Sequence, residues 1–198
     1  MGVLACKGFK PGLKCRGYRF RTDVPNVTGH ANCARNGFHA AENPLDCLTY
    51  YPGFDDNEYW TVWCDGDLNE DGNDSKITCT RMELIERLTR LDFVLLAGMY
   101  VAEHPTRPPH GRIRLAGRAV ADEDGMAIIW SKHPVARGNR VGDVLLLIEG
   151  EPERYVVNMA ALEIDGIRAF PDVWYSMDDA LGREGGGRHG TQDMPNDG

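Results

Sequence analysis

Hydrophobic and polar positions in the first hundred residues alternate over short stretches, then give way to spacing of helical period. Val3 to Phe9 and Arg16 to Arg21 have the composition of short strands, with Pro11-Gly12 as the turn between them. Gly37 to Ala41 predicts another strand. Asn43 then caps a helix with Pro44 at its first position, where a missing N–H costs nothing, and Leu45, Leu48 and Tyr51 mark one face. Tyr59 to Cys64 is aromatic and β-branched, as a buried strand is, and Lys76 to Cys79 predicts its neighbour. Thr80-Arg81-Met82-Glu83 matches a capping box, so a helix is expected from there, with Ile85, Leu88, Leu91 and Leu95 along one side. The more uniformly apolar run from Phe93 to Ala102 predicts that the second half of this helix is buried on several sides.

At His104-Pro105-Thr106-Arg107-Pro108-Pro109-His110-Gly111 the pattern breaks, because three prolines in eight residues continue neither a helix nor a central strand. Beyond it the periodicity is that of strands: Arg112 to Leu115 alternates, Met126 to Trp130 is apolar, and Val144–Glu149, Tyr155–Ile164, Ile167–Phe170 and Val173–Met177 follow. Gly150-Glu151-Pro152-Glu153 and Asp165-Gly166 are hairpin signals between them. The expected organisation is a mixed α+β domain at 1–104, a Pro-rich linker at 105–111, a small β domain at 112–178 and a disordered Gly-rich tail at 179–198.

Composition narrows the function classes. The longest apolar run is far short of the roughly 20 residues that cross a bilayer, and Met1-Gly2-Val3-Leu4-Ala5-Cys6 lacks the basic segment of a signal peptide, so a cytoplasmic location is expected. The formal net charge of −8 argues against direct nucleic-acid binding, which needs clustered Lys and Arg. All six cysteines, Cys6, Cys15, Cys33, Cys47, Cys64 and Cys79, lie in the first 79 residues without a Cys-x-x-Cys spacing. Reduced buried thiols are the expectation, with a zinc site using Cys33 and His30 or His39 as the alternative. No Gly-Lys-Ser/Thr phosphate loop, Gly-x-Ser-x-Gly elbow or His-Glu-x-x-His pair is present.

The residues Lys7-Gly8-Phe9, Cys15-Arg16-Gly17-Tyr18, Gly37-Phe38-His39, Asn43-Pro44-Leu45-Asp46 and Tyr50-Tyr51 together resemble an uncharacterised domain that recurs in bacteriophage and prophage proteins. The carboxy-terminal part is similar to the end of the same family, in which Ala- and Gly-rich β-solenoid coils lead into a closing hairpin and a Pro-Asp-aromatic-Tyr strand, here Pro171 to Tyr175. The resemblance implies a small antiparallel β or short β-solenoid-like second domain. The span from Gly37 to Tyr50 further resembles the two-aromatic motif of ADP-ribosyltransferases, which implies an ADP-ribosyltransferase-like first domain. Lys7, Gly8, Gly37, His39 and Tyr50 would then hold NAD, with Lys7 in place of a His and His39 in place of a Tyr. His39 and Asp74 are the catalytic candidates, Asp74 lying nearest to where the carboxylate belongs. The alternative is that Phe38, Tyr50 and Tyr51 are core aromatics and His39 an ordinary strand residue.

Two acidic features complete the candidates. Asp67, Asn69 and Asp71, followed by Gly72, match the start of a calcium loop, but the twelfth position is Thr78 rather than an acid, so a polar hairpin loop is the competing reading. Asp55, Asp56 and Glu58 open an acidic run uninterrupted by Lys or Arg, either a solvated face or a docking surface for a protein partner with a basic surface. The family context implies a phage-encoded accessory protein that binds a host or phage macromolecule without a cofactor, a counter-defence inhibitor of anti-CRISPR type included. The alternatives are a divergent NAD-dependent ADP-ribosyltransferase and a virion-associated decoration protein.

Overall fold

The computed structural model describes residues 2–31, 36–70 and 75–182. The chain divides into two compact units that meet in sequence between Arg112 and Ile113. The Pro-rich stretch 105–111 is part of the first unit, where His110 Nε2 lies 3.7 Å from Asp46 Oδ1.

The first unit contains strands β1 (Val3–Phe9), β2 (Lys14–Cys15), β3 (Tyr18–Arg19), β4 (Asn26–Val27), β5 (Phe38–Ala41), β6 (Glu58–Glu70) and β7 (Lys76–Arg87), with helices α1 (Pro44–Tyr50) and α2 (Arg90–Glu103). β1 pairs with β6 along its whole length, β6 with β7, and β7 with β5, all antiparallel. β5 returns to β1 through a single rung, Cys6 opposite Ala41, and this closes a ring of four strands. β4 continues the β5 side of the ring along β7, with Asn26 opposite Met82. Period-two alternation sends Ala5, Phe9, Phe38, Ala40, Val62, Cys64, Cys79, Met82 and Leu84 inward to one buried cluster, which Phe20 joins. Burying each of the larger side chains contributes about 1.5–3 kcal/mol.

α1 starts as the sequence predicts, with Asn43 Oδ1 accepting from Leu45 N at 3.1 Å and Pro44 in the first turn. The helix expected at Thr80 does not form. Thr80 to Glu83 lies inside β7, where Met82 is buried in the ring while the outward Arg81 pairs with Asp65 at 2.7 Å and with Glu83. A ladder on both edges of β7 outweighs one local capping box. The helix begins instead after Thr89, whose hydroxyl accepts from Asp92 N at 3.2 Å while the Asp92 carboxylate accepts from Thr89 N at 3.0 Å. Its buried face is Phe93, Val94, Ala97, Gly98 and Val101, and Ile85 is an exposed strand residue. The strand expected over Arg16 to Arg21 is reduced to Tyr18–Arg19, because Arg16 and Gly17, at φ 46° and 84°, form the turn that joins β2 to β3.

The second unit consists of β8 (Ile113–Arg114), β9 (Arg118–Val120), β10 (Met126–Ser131), β11 (Val135–Arg137), β12 (Val144–Glu151), β13 (Tyr155–Glu163), β14 (Trp174–Ser176) and α3 (Met177–Ala180). β8, β10 and β12 stack in parallel, Ile113 beside Ile128 and Ile128 beside Leu146, while β9 and β11 stack in parallel with Ala119 beside Ala136. The chain therefore coils between two sheets, a short solenoid, and only the closing strands β13 and β14 run antiparallel to their neighbours. Turns between coils are held by carboxylates: buried Asp143 accepts from Asn139 N at 2.7 Å and Arg140 N at 3.1 Å. Ile167 to Phe170 is not the expected strand. Asp165 accepts from the backbone N–H groups of Ala169, Ile167 and Arg168, a tight loop that also lowers its pKa to about 2. The expected tail begins as α3, capped by Ser176 and Asp179, and residues 183–198 lie outside the described residues.

The two capping sequences separate experimentally. Thr89→Ala should lower the unfolding free energy in urea by about 1 kcal/mol, whereas Glu83→Ala, on the exposed face of β7, should change it by no more than about 0.5 kcal/mol.

Candidate functional site

The rung Cys6–Ala41 is the only pairing between β1 and β5, so Lys7 to Phe9 and Phe38 to Ala40 face each other unpaired across an open seam. The seam opens into a cavity of about 740 Å³, walled by β1, β5, α1 and the β2–β3 hairpin. Lys7, Gly8, Gly37, His39 and Tyr50, the residues singled out for NAD, all line it.

Each is placed by a local cause. Lys7 follows the inward alternation of β1 and is only 3% exposed, yet its Nζ crosses the seam to donate to the His39 carbonyl at 2.8 Å. The ammonium also lies 5.0 Å from the Phe9 ring centroid and 5.3 Å from that of Phe20, so two aromatic faces replace part of its hydration. At Gly8 a Cβ would fall 2.6 Å from Tyr51 Cδ2, so the Tyr51 ring rests directly on bare backbone. Gly37 combines φ 90° with a Cβ position 2.5 Å from Thr78, which no other residue fills. Tyr51 is fixed from behind, its N–H donating to Cys47 O and its carbonyl accepting from the Tyr59 hydroxyl. Tyr59 in turn stacks on Phe54 and meets Phe93 edge-on, with centroids 4.8 and 4.9 Å apart.

Sequence reasoning missed several lining residues. Cys15, Arg16, Asp46, Tyr51 and Lys76 also line the cleft. Lys76 Nζ sits 3.2 Å from Tyr50 Oη and 5.4 Å from its ring centroid. Among the described residues, four cations, Lys7, Lys10, Arg16 and Lys76, thus face one carboxylate, Asp46, and Asp46 already accepts from Ser75 Oγ at 2.6 Å. The Cys-Arg-Gly signature marked the hairpin, but Lys76 reaches the cleft only through the pairing of β7 with β5.

Two of the three acidic docking candidates are engaged within the fold. Asp55 pairs with Arg90 at 2.6 Å, and Glu58 Oε1 accepts from Gly12 N at 2.6 Å, holding the turn after β1. A run without Lys or Arg in sequence therefore meets basic partners in space, and Asp56 is an exposed member of a short 3₁₀ turn. Asp67 and Asn69 are exposed on β6, which continues past Gly66 to Glu70, so they are strand residues rather than the start of a loop. Asp71, Asp74 and Cys33 lie outside the described residues. Among the described residues no cluster of His, Cys, Asp and Glu is arranged to hold a metal, and Cys6, Cys15, Cys47, Cys64 and Cys79 are free thiols. The Cys79 contact and burial push the Cys64 thiol up.

His39 titrates below the usual imidazole value of 6.5, through burial first and then the like charges of Lys7, Arg16 and Lys76. His110 is lowered by burial against the opposing pull of Asp46. The unfolded chain therefore takes up protons at higher pH than the folded one, so stability present above pH 6.5 is lost as pH falls through the folded values. Urea unfolding should show stability declining below about pH 6.5, with a shallower decline in His39→Gln.

No curated protein and no solved structure matches the chain. A family model does match, over residues 3–96, and its description states no activity. That span runs from the start of β1 into α2 and includes every described residue that lines the cleft. The family model that matches residues 3–96 is that of a domain of unknown function, DUF7666.

Proposed function

We propose that the first unit is a binding module for a small anionic ligand with a planar ring, of the nucleotide class, with NAD as the candidate. One observation carries this reading: a protein of net charge −8 gathers, among its described residues, four cations and several aromatic rings around one cavity. Such a cleft concentrates opposite charge out of proportion to the protein's overall sign. Tyr50 and Tyr51 offer ring faces, the parted strands bring backbone to the cleft beside Gly8, and Arg16 and Lys76 flank the aromatic wall. The volume lies within the range of small-molecule sites. Catalysis of ADP-ribosyl transfer would add a carboxylate, and the sequence candidate for it, Asp74, is outside the described residues, so the reading stops at binding. A protein with this module can still serve as an accessory factor, its ligand governing the macromolecule it meets.

Calorimetry tests the proposal with NAD, ADP-ribose, AMP and nicotinamide. The phosphate-bearing ligands should bind, and nicotinamide alone should bind at least about tenfold more weakly, since it lacks the charge the cleft selects. Arg16→Gly is the sharpest variant. It removes a cation while supplying the residue best suited to φ 46°, so affinity should drop about fivefold with stability retained or raised. An absence of heat for every ligand at millimolar concentration would refute the reading.

A further inference from the structure

The β2–β3 hairpin brings into the cleft a thiol for which nucleotide binding has no use. Four of the described cysteines are buried, whereas Cys15 is half-exposed and lines the cavity. Two donors converge on its sulfur: Tyr51 Oη at 2.9 Å and Lys7 Nζ at 3.9 Å. Both are anchored elsewhere, Tyr51 against Gly8 and Lys7 through the His39 carbonyl, so the sulfur meets a preset pair. Burial and the neighbouring thiol raise the Tyr51 pKa, which keeps its hydroxyl a donor at neutral pH. Lys7 is 3% exposed, so little solvent screens its charge from the sulfur. Two donors aimed at one accessible sulfur are the arrangement of an activated nucleophile. Independently of the thiol, Lys10, Arg16 and Lys76 on the same cavity wall form a receptacle for an anion.

We infer that Cys15 is the nucleophile of the cleft, with Lys7 and Tyr51 holding its sulfur, and that its substrates are small carbon electrophiles bearing a carboxylate or phosphate. The inference rests on reading the cleft as an anion site. In the step, the sulfur electron pair forms a C–S bond, the leaving group departs with the electrons of the broken bond, and the thiol proton passes to solvent beforehand.

Iodoacetate and iodoacetamide form the same S–CH₂ bond and release the same iodide, differing in charge, so their rates on the intact protein isolate the claim. Peptide mass spectrometry should find Cys15 modified before the other cysteines. Its rate ratio for iodoacetate over iodoacetamide should exceed that of glutathione by about tenfold. Tyr51→Phe keeps the ring against Gly8 and should slow Cys15 labelling about tenfold, Lys7→Met should slow it as well, and Arg16→Gly should lower the preference for the anion. Should Lys7→Met fail to fold, Tyr51→Phe decides. Labelling no faster than glutathione, no preference for iodoacetate, or an unchanged rate in Tyr51→Phe would each overturn the proposal. Nucleotide binding without accelerated labelling therefore removes the nucleophile alone, whereas accelerated, charge-selective labelling without nucleotide binding upholds it and removes the nucleotide.

Discussion

The hydrogen bond from Lys7 to the His39 carbonyl is the interaction on which the first unit's cleft depends. A ring of four strands that closed fully between β1 and β5 would contain no cavity, and one left wholly unpaired there would expose two strand edges. The single rung Cys6–Ala41 pins the strands, and beyond it a side chain takes over from the ladder. Burying an ammonium costs several kcal/mol unless it is compensated. The carbonyl, the rings of Phe9 and Phe20 and the Cys15 sulfur supply that compensation. The same charge that bridges the seam also sets the sign of the cavity beside it.

The second unit solves its edge problem in another way. Its coils stack in parallel through small inward residues, Ala119 on Ala136, which lets the two sheets approach closely. The antiparallel strands β13 and β14 then cover the last coil. Asp122, Asp143 and Asp165 turn the chain by accepting backbone N–H groups, so several of the protein's many carboxylates are committed to loops rather than to a free acidic face.

Elements whose local and tertiary preferences agree were legible from sequence. β1, β5 and the Asn43–Pro44 start of α1 are such cases, each with one periodicity and one set of turn residues, whereas β9 and β11, the second sheet of the coils, are too short to show a period. Thr80 to Glu83 failed because its local signature conflicts with its setting: a capping box lies on a strand whose partners are supplied by segments distant in sequence. Five cleft residues were named from the resemblance alone, all on segments that carry its signature. Lys76 and the sulfur contacts of Tyr51 depend on long-range register, which spacing does not encode, and the pairing of Asp55 with Arg90 was hidden for the same reason.

The central claim is that the parted strands form a cationic receptacle, and amide chemical shifts test it most directly. Titration of ADP-ribose into the ¹⁵N-labelled protein should move the resonances of Gly8, Gly37, His39 and Tyr51 together with one saturation curve, leaving β10 and β12 of the second unit unmoved. Shifts confined to other surfaces, or none at millimolar ligand, would contradict it.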